Sequence, residues 1–172
     1  MLRSRWNRVV LVLGCLLYGA LPANPQDPAP ARAAPEQPIP FSHKAHAAAG
    51  LQCQDCHPMK PPGNFVGLPA TDTCMTCHTS IKAESPAIQE LARFANEGRP
   101  VPWVRVYRVP NVVYFSHVVH HREAGFECSV CHGPVAERDV IALERPTSMA
   151  ECMKCHDQHG ASNDCDLCHD SF

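Results

Sequence analysis

Hydrophobic residues form one continuous run near the start of the chain and only short groups after it. The run covers residues 9–21 and follows Arg3, Arg5 and Arg8, which is the arrangement of a secretory signal peptide. Its roughly thirteen residues fall short of the ~20 that a membrane-spanning helix needs. The pattern therefore predicts a signal peptide over residues 1–23, with an uncleaved membrane anchor as the alternative.

Two later segments have the composition of extended linkers. Residues 24–40 contain six prolines in seventeen positions, which is typical of a solvated, extended chain. Residues 99–111 have prolines near both ends and a partial period of two between them. We therefore expect neither segment to contribute a helix.

A helical period appears before the second linker. Ser85 supplies a helix N-cap, Pro86 suits the first helical position, and Gly98 ends the pattern. The apolar residues that fall on one face are Ile88, Leu91, Ala92 and Ala95. We expect this amphipathic helix to pack on the residues that precede it.

The chain also contains an imperfect internal repeat. Residues 41–46, Phe-Ser-His-Lys-Ala-His, recur at 115–120 as Phe-Ser-His-Val-Val-His. The offset between the copies grows from 74 to 75 residues before the next cysteine, so one residue is inserted close to His121. We predict two related modules, residues 41–98 and residues 112–172.

The motif Cys-x-x-Cys-His occurs five times, twice in the first module and three times in the second. It is typical of covalent c-type haem attachment, because two thiols three positions apart reach the two vinyl groups of one porphyrin and the histidine binds the iron. The predicted attachment residues are Cys53, Cys56, Cys74, Cys77, Cys128, Cys131, Cys152, Cys155, Cys165 and Cys168. The predicted proximal ligands are His57, His78, His132, His156 and His169. The sequence thus predicts five covalently bound c-type haems.

Other uses of the cysteines fit the sequence less well. The first two motifs also have the spacing of a four-cysteine zinc site, but such a site gives no reason for a histidine after every pair. Pairing within Cys-x-x-Cys makes redox dithiols rather than structural disulfides. The eleventh cysteine, Cys15, loosely resembles a lipoprotein processing site but is interpreted as part of the signal peptide. Export agrees with haem attachment, since bacteria attach these haems outside the cytoplasm.

The length and charge of the predicted mature region narrow its structure and partners. From Phe41 onward only 132 residues hold five haems, so we expect short helices and irregular loops around the porphyrins, little β-structure, and an apoprotein that does not fold. Removal of residues 1–23 changes the formal net charge from −2 to −5, which argues against nucleic acid as a partner. Three linker arginines either bind haem propionates, form a docking patch or face solvent: Arg99, Arg105 and Arg108.

Histidines outside the motifs offer distal ligands to the irons. Those held by both copies of the repeat are His43, His46, His117 and His120. Two histidines three positions apart lie on one helix face, so they cannot take opposite sides of one porphyrin. Each pair is therefore predicted to serve two different haems and to hold them close together. For the fifth iron the residues leave three candidates open, namely Met149, His159 and His121.

The spacing of Phe-x-His-x-x-His before Cys-x-x-Cys-His resembles the small multihaem cytochromes of the class III and cytochrome c7 kind. In that family the two histidines are distal ligands to different haems. Further signatures resemble the pentahaem subunit of alternative complex III, a bacterial quinol-oxidising membrane complex. They lie at residues 39–43, 103–106, 113–117, 131–135 and 148–149. This resemblance implies that Met149 is an axial ligand, whose thioether would raise the potential of its haem.

Together these features predict an exported, periplasmic electron-transfer protein rather than an enzyme. Its partners would be other redox proteins, namely a quinol-oxidising membrane complex and a cytochrome or terminal oxidase. Attachment to the outer face of the inner membrane, through a partner or through the N-terminal segment, stands beside a soluble shuttle as an alternative. A multihaem reductase would need an open iron position, whereas the spare histidines and Met149 exceed the five distal positions. Storage of metal or haem is a third hypothesis.

Overall fold

The structure is a computed structural model that describes residues 33–170. These residues belong to one compact unit. The predicted signal peptide, Cys15 and the first part of the proline-rich linker lie outside the described residues. Within them, no helix is both long enough and apolar enough to cross a membrane.

Short helices joined by loops make up the described chain. The α-helices are α1 (His43–Ala48), α2 (Cys53–Cys56), α3 (Thr71–His78), α4 (Pro86–Asn96), α5 (Cys128–His132), α6 (Met149–His159) and α7 (Cys165–Cys168). A π-helix, Val118–Glu123, precedes α5, and a 3₁₀ turn, Val135–Glu137, follows it. Residues 33–170 contain no strand, only an isolated antiparallel bridge between Met59 and Val66. The predicted fold of short helices and loops with little β-structure is confirmed.

Serine side chains begin three of the helices. Each hydroxyl accepts a hydrogen bond from the backbone N–H three residues later, which satisfies an amide that has no partner within the helix. The capping residues and distances are Ser42 at 3.0 Å, Ser85 at 3.4 Å and Ser148 at 3.3 Å. The caps fix the starts of α1, α4 and α6, and α1 and α6 carry candidate iron ligands.

Helix α4 supplies half of a small apolar core. Leu91 and Phe94 of this helix are buried together with Ile39 and Val101, and Trp103 packs against them. The predicted helix is therefore present, with Phe94 as a buried residue that the predicted face did not include. Among the described residues these four are the only buried hydrophobic side chains. The polypeptide alone thus buries little apolar surface.

The inserted residue of the second repeat lies within the π-helix. In the first repeat the N–H of Leu51 donates to the carbonyl oxygen of His46, at 3.2 Å. In the second, the N–H of Phe126 donates to the carbonyl oxygen of His120, at 3.1 Å. The equivalent bond is therefore present in both copies, and in the second copy it spans one residue more. The wider turn of the π-helix absorbs the insertion, as is common for such helices.

Candidate functional site

All five cysteine motifs adopt the same local structure. In each motif the two cysteines lie one turn apart on a helix, in α2, α3, α5, α6 and α7. Residues three apart on a helix lie on the same face, so both thiols of a motif point to one side. None of the ten cysteines of these motifs forms a disulfide bond. This arrangement suits two thioether bonds to a single flat group.

Four histidine pairs face each other across a constant gap. Each pair joins one motif histidine to one histidine of the repeat. The pairs and their ring-centroid separations are His43 with His57 at 6.3 Å, His46 with His78 at 6.1 Å, His117 with His132 at 6.5 Å and His120 with His156 at 6.2 Å. The four separations agree within half an ångström.

The gap fits one metal ion held between two imidazoles. Two metal–nitrogen bonds of about 2 Å, together with about 1.1 Å from each nitrogen to its ring centre, place the centroids about 6 Å apart. The residues present therefore fit an iron bound axially by two histidines. The two histidines of each repeat face different motifs, so each would bind a different iron.

Backbone carbonyl oxygens orient most of these rings. A carbonyl oxygen only accepts, so the ring nitrogen beside it, Nδ1, carries the hydrogen and Nε2 is left to bind a metal. For the motif histidines the acceptors are Gly67 (His57, 2.8 Å), Ile81 (His78, 2.9 Å), Ser162 (His156, 2.7 Å) and Val112 (His169, 3.0 Å). For the repeat histidines they are Ser42 (His46, 2.7 Å), Asn64 (His117, 2.9 Å) and Ser116 (His120, 2.8 Å). The sequence could not indicate these acceptors, since any residue type supplies a carbonyl.

The phenylalanine of each repeat holds both histidines of that repeat. Phe41 contacts His43 edge-on at 4.7 Å and stacks on His46 at 4.4 Å between ring centroids. In the second copy Phe115 contacts His117 edge-on at 4.8 Å and stacks on the ring of His120 at 4.5 Å. The duplicated phenylalanine therefore has a defined role in fixing the two rings relative to each other.

Burial keeps two of the paired histidines neutral. Burial, together with the nearby His57 and His46, lowers the pKa of His43 to about 4. Burial also lowers the pKa of His132, with His117 and His57 as additional causes. Nδ1 of His43 is itself buried and has no hydrogen-bond partner among the described residues. A neutral imidazole is the form that binds a metal, so both shifts favour ligation.

The three candidates for the fifth position lie in different places. Met149 is the first residue of α6 and its side chain is 64% exposed. His159 is the last residue of the same helix, and its ring contacts Phe126 edge-on at 4.8 Å. His121, in the π-helix, donates from Nδ1 to the carbonyl oxygen of Phe126 at 2.9 Å, and its Nε2 lies 3.2 Å from the side-chain nitrogen of Gln54. Both ring nitrogens of His121 are thus engaged by protein.

Tyr107 is a contact of the site that the sequence did not indicate. Its hydroxyl donates to the carbonyl oxygen of His132 at 3.1 Å, and its ring meets the ring of His132 edge-on at 4.6 Å. The same hydroxyl accepts from the N–H of Glu144 at 3.3 Å. An aromatic residue in an extended segment carries no pattern that could reveal this contact.

The three linker arginines differ in their surroundings. Arg99 pairs with Glu97 and lies over the ring of Phe94, whereas Arg105 and Arg108 are exposed.

The zinc alternative is not supported by the arrangement of possible ligands. Over residues 33–170, no group of three or more His, Cys, Asp or Glu side chains is gathered to hold a metal ion unaided. The cysteines of the first two motifs therefore do not assemble into a four-cysteine site.

Comparison with known proteins gives three matches. The profile of the class III cytochrome c family matches residues 20–98, and the profile of cytochrome c7 and related cytochromes c matches residues 113–170. The multihaem cytochrome c subunit of menaquinone reductase from Nitratidesulfovibrio vulgaris is 32% identical, covering 78% of this chain and 77% of that protein.

Proposed function

Because the chain belongs to the class III and c7 family of multihaem cytochromes c, we propose that it carries electrons through five covalent haems in a quinone-linked redox system. When bound, each haem supplies one-electron redox chemistry at its iron. The polypeptide supplies attachment, axial ligands and the distances between sites.

One haem is assigned to each motif. Its two cysteines form the thioether bonds and the histidine that follows them is the proximal ligand. The assignment rests on the shared local structure, in which both thiols of every motif lie on one side of a helical turn. No motif departs from this geometry, so the proposed number of haems is five.

The observation that carries the proposal is the set of four histidine pairs with ring centroids 6.1–6.5 Å apart. We assign His43, His46, His117 and His120 as distal ligands to the haems of the first, second, third and fourth motifs, in that order. An iron held by both histidines of a pair would have no coordination position left for a substrate. The four sites are therefore suited to electron transfer and not to catalysis at iron.

For the fifth haem we favour Met149 as distal ligand. Met149 lies one turn before Cys152 on α6, and the thiol of Cys168, in the fifth motif, is close enough to that of Cys152 to help raise its pKa. Met149 is therefore on the side of α6 where the fifth motif lies, and it is largely exposed. His159 is ten residues away at the other end of the helix, beside Phe126, and remains the alternative.

We place the protein on the periplasmic side of the membrane, as part of or partner to a quinol-oxidising complex. The relative from N. vulgaris is named as a subunit of menaquinone reductase, and the sequence signatures resemble a subunit of alternative complex III. A net charge of about −5 after signal removal leaves an acidic surface suited to redox partners with basic docking faces. A cytochrome or terminal oxidase is the proposed acceptor.

Two measurements test this function. Native-gel separation of membranes and of the exported soluble fraction, stained for covalent haem, should show the chain in a large membrane assembly. A band near monomer mass would favour a free electron shuttle instead.

Carbon monoxide added to the reduced native protein should leave the absorption spectrum almost unchanged. A stoichiometric spectral shift would reveal an open iron position and would support the multihaem reductase alternative.

A further inference from the structure

We infer that the five haem attachment sites are arranged in space in the order second, first, third, fourth, fifth. The first and third motifs are then inner neighbours, and the second and fifth motifs form the two ends of the series. This inference rests on the proposed function in one respect, namely that each motif holds one haem. It concerns the relative placement of sites, which differs from their order in the sequence.

The first and second sites are adjacent because one short helix serves both. His43 and His46 lie one turn apart on α1, yet the first faces His57 and the second faces His78. Phe41 touches both α1 rings, so the two sites share an aromatic contact. Two sites joined through neighbouring residues of a six-residue helix cannot be far apart.

The third and fourth sites are adjacent for the same reason. His117 and His120, at the start of the π-helix, face His132 and His156, respectively. Phe115 touches both repeat rings. The two halves of the chain therefore contain equivalent pairs of sites, in agreement with the repeat in their sequences.

Several contacts join the first site to the third. The carbonyl oxygen of Asn64, shortly after the first motif, accepts from Nδ1 of His117, which faces the third motif. The preceding carbonyl, of Gly63, accepts from the N–H of Val118 at 3.1 Å. Gln54, between the two cysteines of the first motif, contacts His121. The two halves thus meet through the first motif of each.

Side chains of the two inner sites also lie close together. The ring of His57 is a near neighbour of the ring of His132, and the side chain of Cys53 lies beside that of Cys128. In both inner sites the paired rings are nearly parallel, with interplanar angles of 8° and 3°.

The fifth site extends the series beyond the fourth. Asn163, just before the fifth motif, donates to the carbonyl oxygen of Met153 within the fourth motif, at 3.2 Å. The N–H of Tyr114 donates to the carbonyl oxygen of Cys168 at 2.8 Å. The side chain of Cys168 also lies near that of Cys152. The fifth motif therefore lies against the fourth, beside Met153 of α6.

The second site lies at the other end. Cys74 and Met75 pack on the core formed by α4 and Val101, and the side chain of Cys56, in the first motif, is a neighbour of Cys74. The contacts of this motif through His46 of α1 and through Cys56 lead to the first site. Electrons that traverse the whole series would enter and leave at the second and fifth motifs, so two partners would dock at two separate faces.

Iron positions in the loaded protein test the order directly. We would crystallise the holoprotein and locate the irons by anomalous scattering, assigning each to its motif from the thioether bonds. The expected result is five irons, with the first-motif iron nearest to those of the second and third, and the second-motif iron having one close neighbour. Five irons in another order would overturn this inference alone. Fewer than five would overturn the proposed function instead.

A solution measurement complements the crystal. His46→Met and His43→Met each introduce a thioether ligand, which raises the potential of one haem and so marks it. Redox titration followed haem by haem should show one disturbed neighbour for His46→Met, at an end, and two for His43→Met, at an inner site. Equal numbers of disturbed neighbours would contradict the order. The count of bound haems shows whether each variant has assembled.

Discussion

Nδ1 of His117 donates to the carbonyl oxygen of Asn64 at 2.9 Å, so the first half of the chain orients a candidate iron ligand of the second half. The neighbouring bond, from Val118 to Gly63, lies on the same segment. The link between the two halves is therefore made by backbone groups beside the ligand. It depends on close approach of the chain at Gly63.

Gly63→Ala should destabilise the protein and disturb the third haem site. Gly63 has a φ of +85°, and an added Cβ would lie 1.9 Å from Cγ2 of Val118, next to His117. We expect a loss of about 2–4 kcal/mol from strain and overpacking together, measured by denaturant unfolding of the holoprotein. Gly50→Ala is the matched control, since Gly50 has a φ of +91° but no atom within 4 Å of the added Cβ. Equal losses in both variants would show that the contact with Val118 is unimportant.

Removal of a repeat histidine should convert one haem from low spin to high spin. Alanine variants of His43, His46, His117 and His120 each lose a ring that faces a motif histidine. Electron paramagnetic resonance and haem counting would follow the change. His121→Ala is the control, because both nitrogens of His121 are engaged by Phe126 and Gln54. Unchanged low-spin spectra in all four variants would refute the pairing.

The fifth distal ligand can be decided by two single replacements. Met149→Ala should remove the haem of highest potential from the redox titration and create one high-spin haem, because a thioether raises the potential. His159→Ala should leave the spin state unchanged and weaken only the contact with Phe126. Met149→His should restore low spin at a lower potential. The opposite result for the two alanine variants would assign the ligand to His159.

The two repeat serines should differ in their contribution to stability. Ser42 caps α1 at 3.0 Å and also donates to Asp139 at 2.6 Å. Ser116 accepts from the N–H of Val119 at 3.4 Å, a weaker bond. We expect Ser42→Ala to cost about 1–2 kcal/mol and Ser116→Ala about 0.5 kcal/mol. Thermal unfolding of both variants would measure the difference, and a larger loss for Ser116→Ala would contradict it.

The chain made without haem attachment should not fold. Four buried apolar residues, Ile39, Leu91, Phe94 and Val101, are too few to stabilise a described chain of this length. Circular dichroism of the apoprotein should show much less helix than that of the holoprotein, and proteolysis should be rapid. A cooperative thermal transition in the haem-free chain would contradict this expectation.

The sequence predicted the family and the local helices more fully than the packing. The cysteine motifs and the repeat pointed to the family and to α1, and a serine cap followed by an apolar period pointed to α4, because all of these depend on residue type and spacing. Which repeat histidine faces which motif depends on the path of the loops, which has no local signal. Phe94 was not among the residues predicted for the buried face of α4. The guanidinium groups of Arg93 and Arg99, each 5.2 Å from its ring centroid, help to cover this ring.

The π-helix also limits where the chain can change length in evolution. An extra residue after His120 widened one turn, yet the bond from Phe126 still closes the segment and both upstream rings keep their partners. An extra residue between His117 and His120 would instead rotate the second ring by about 100° around the helix axis. Homologues should therefore vary in length between the second histidine and the next cysteine, but keep the two histidines three positions apart.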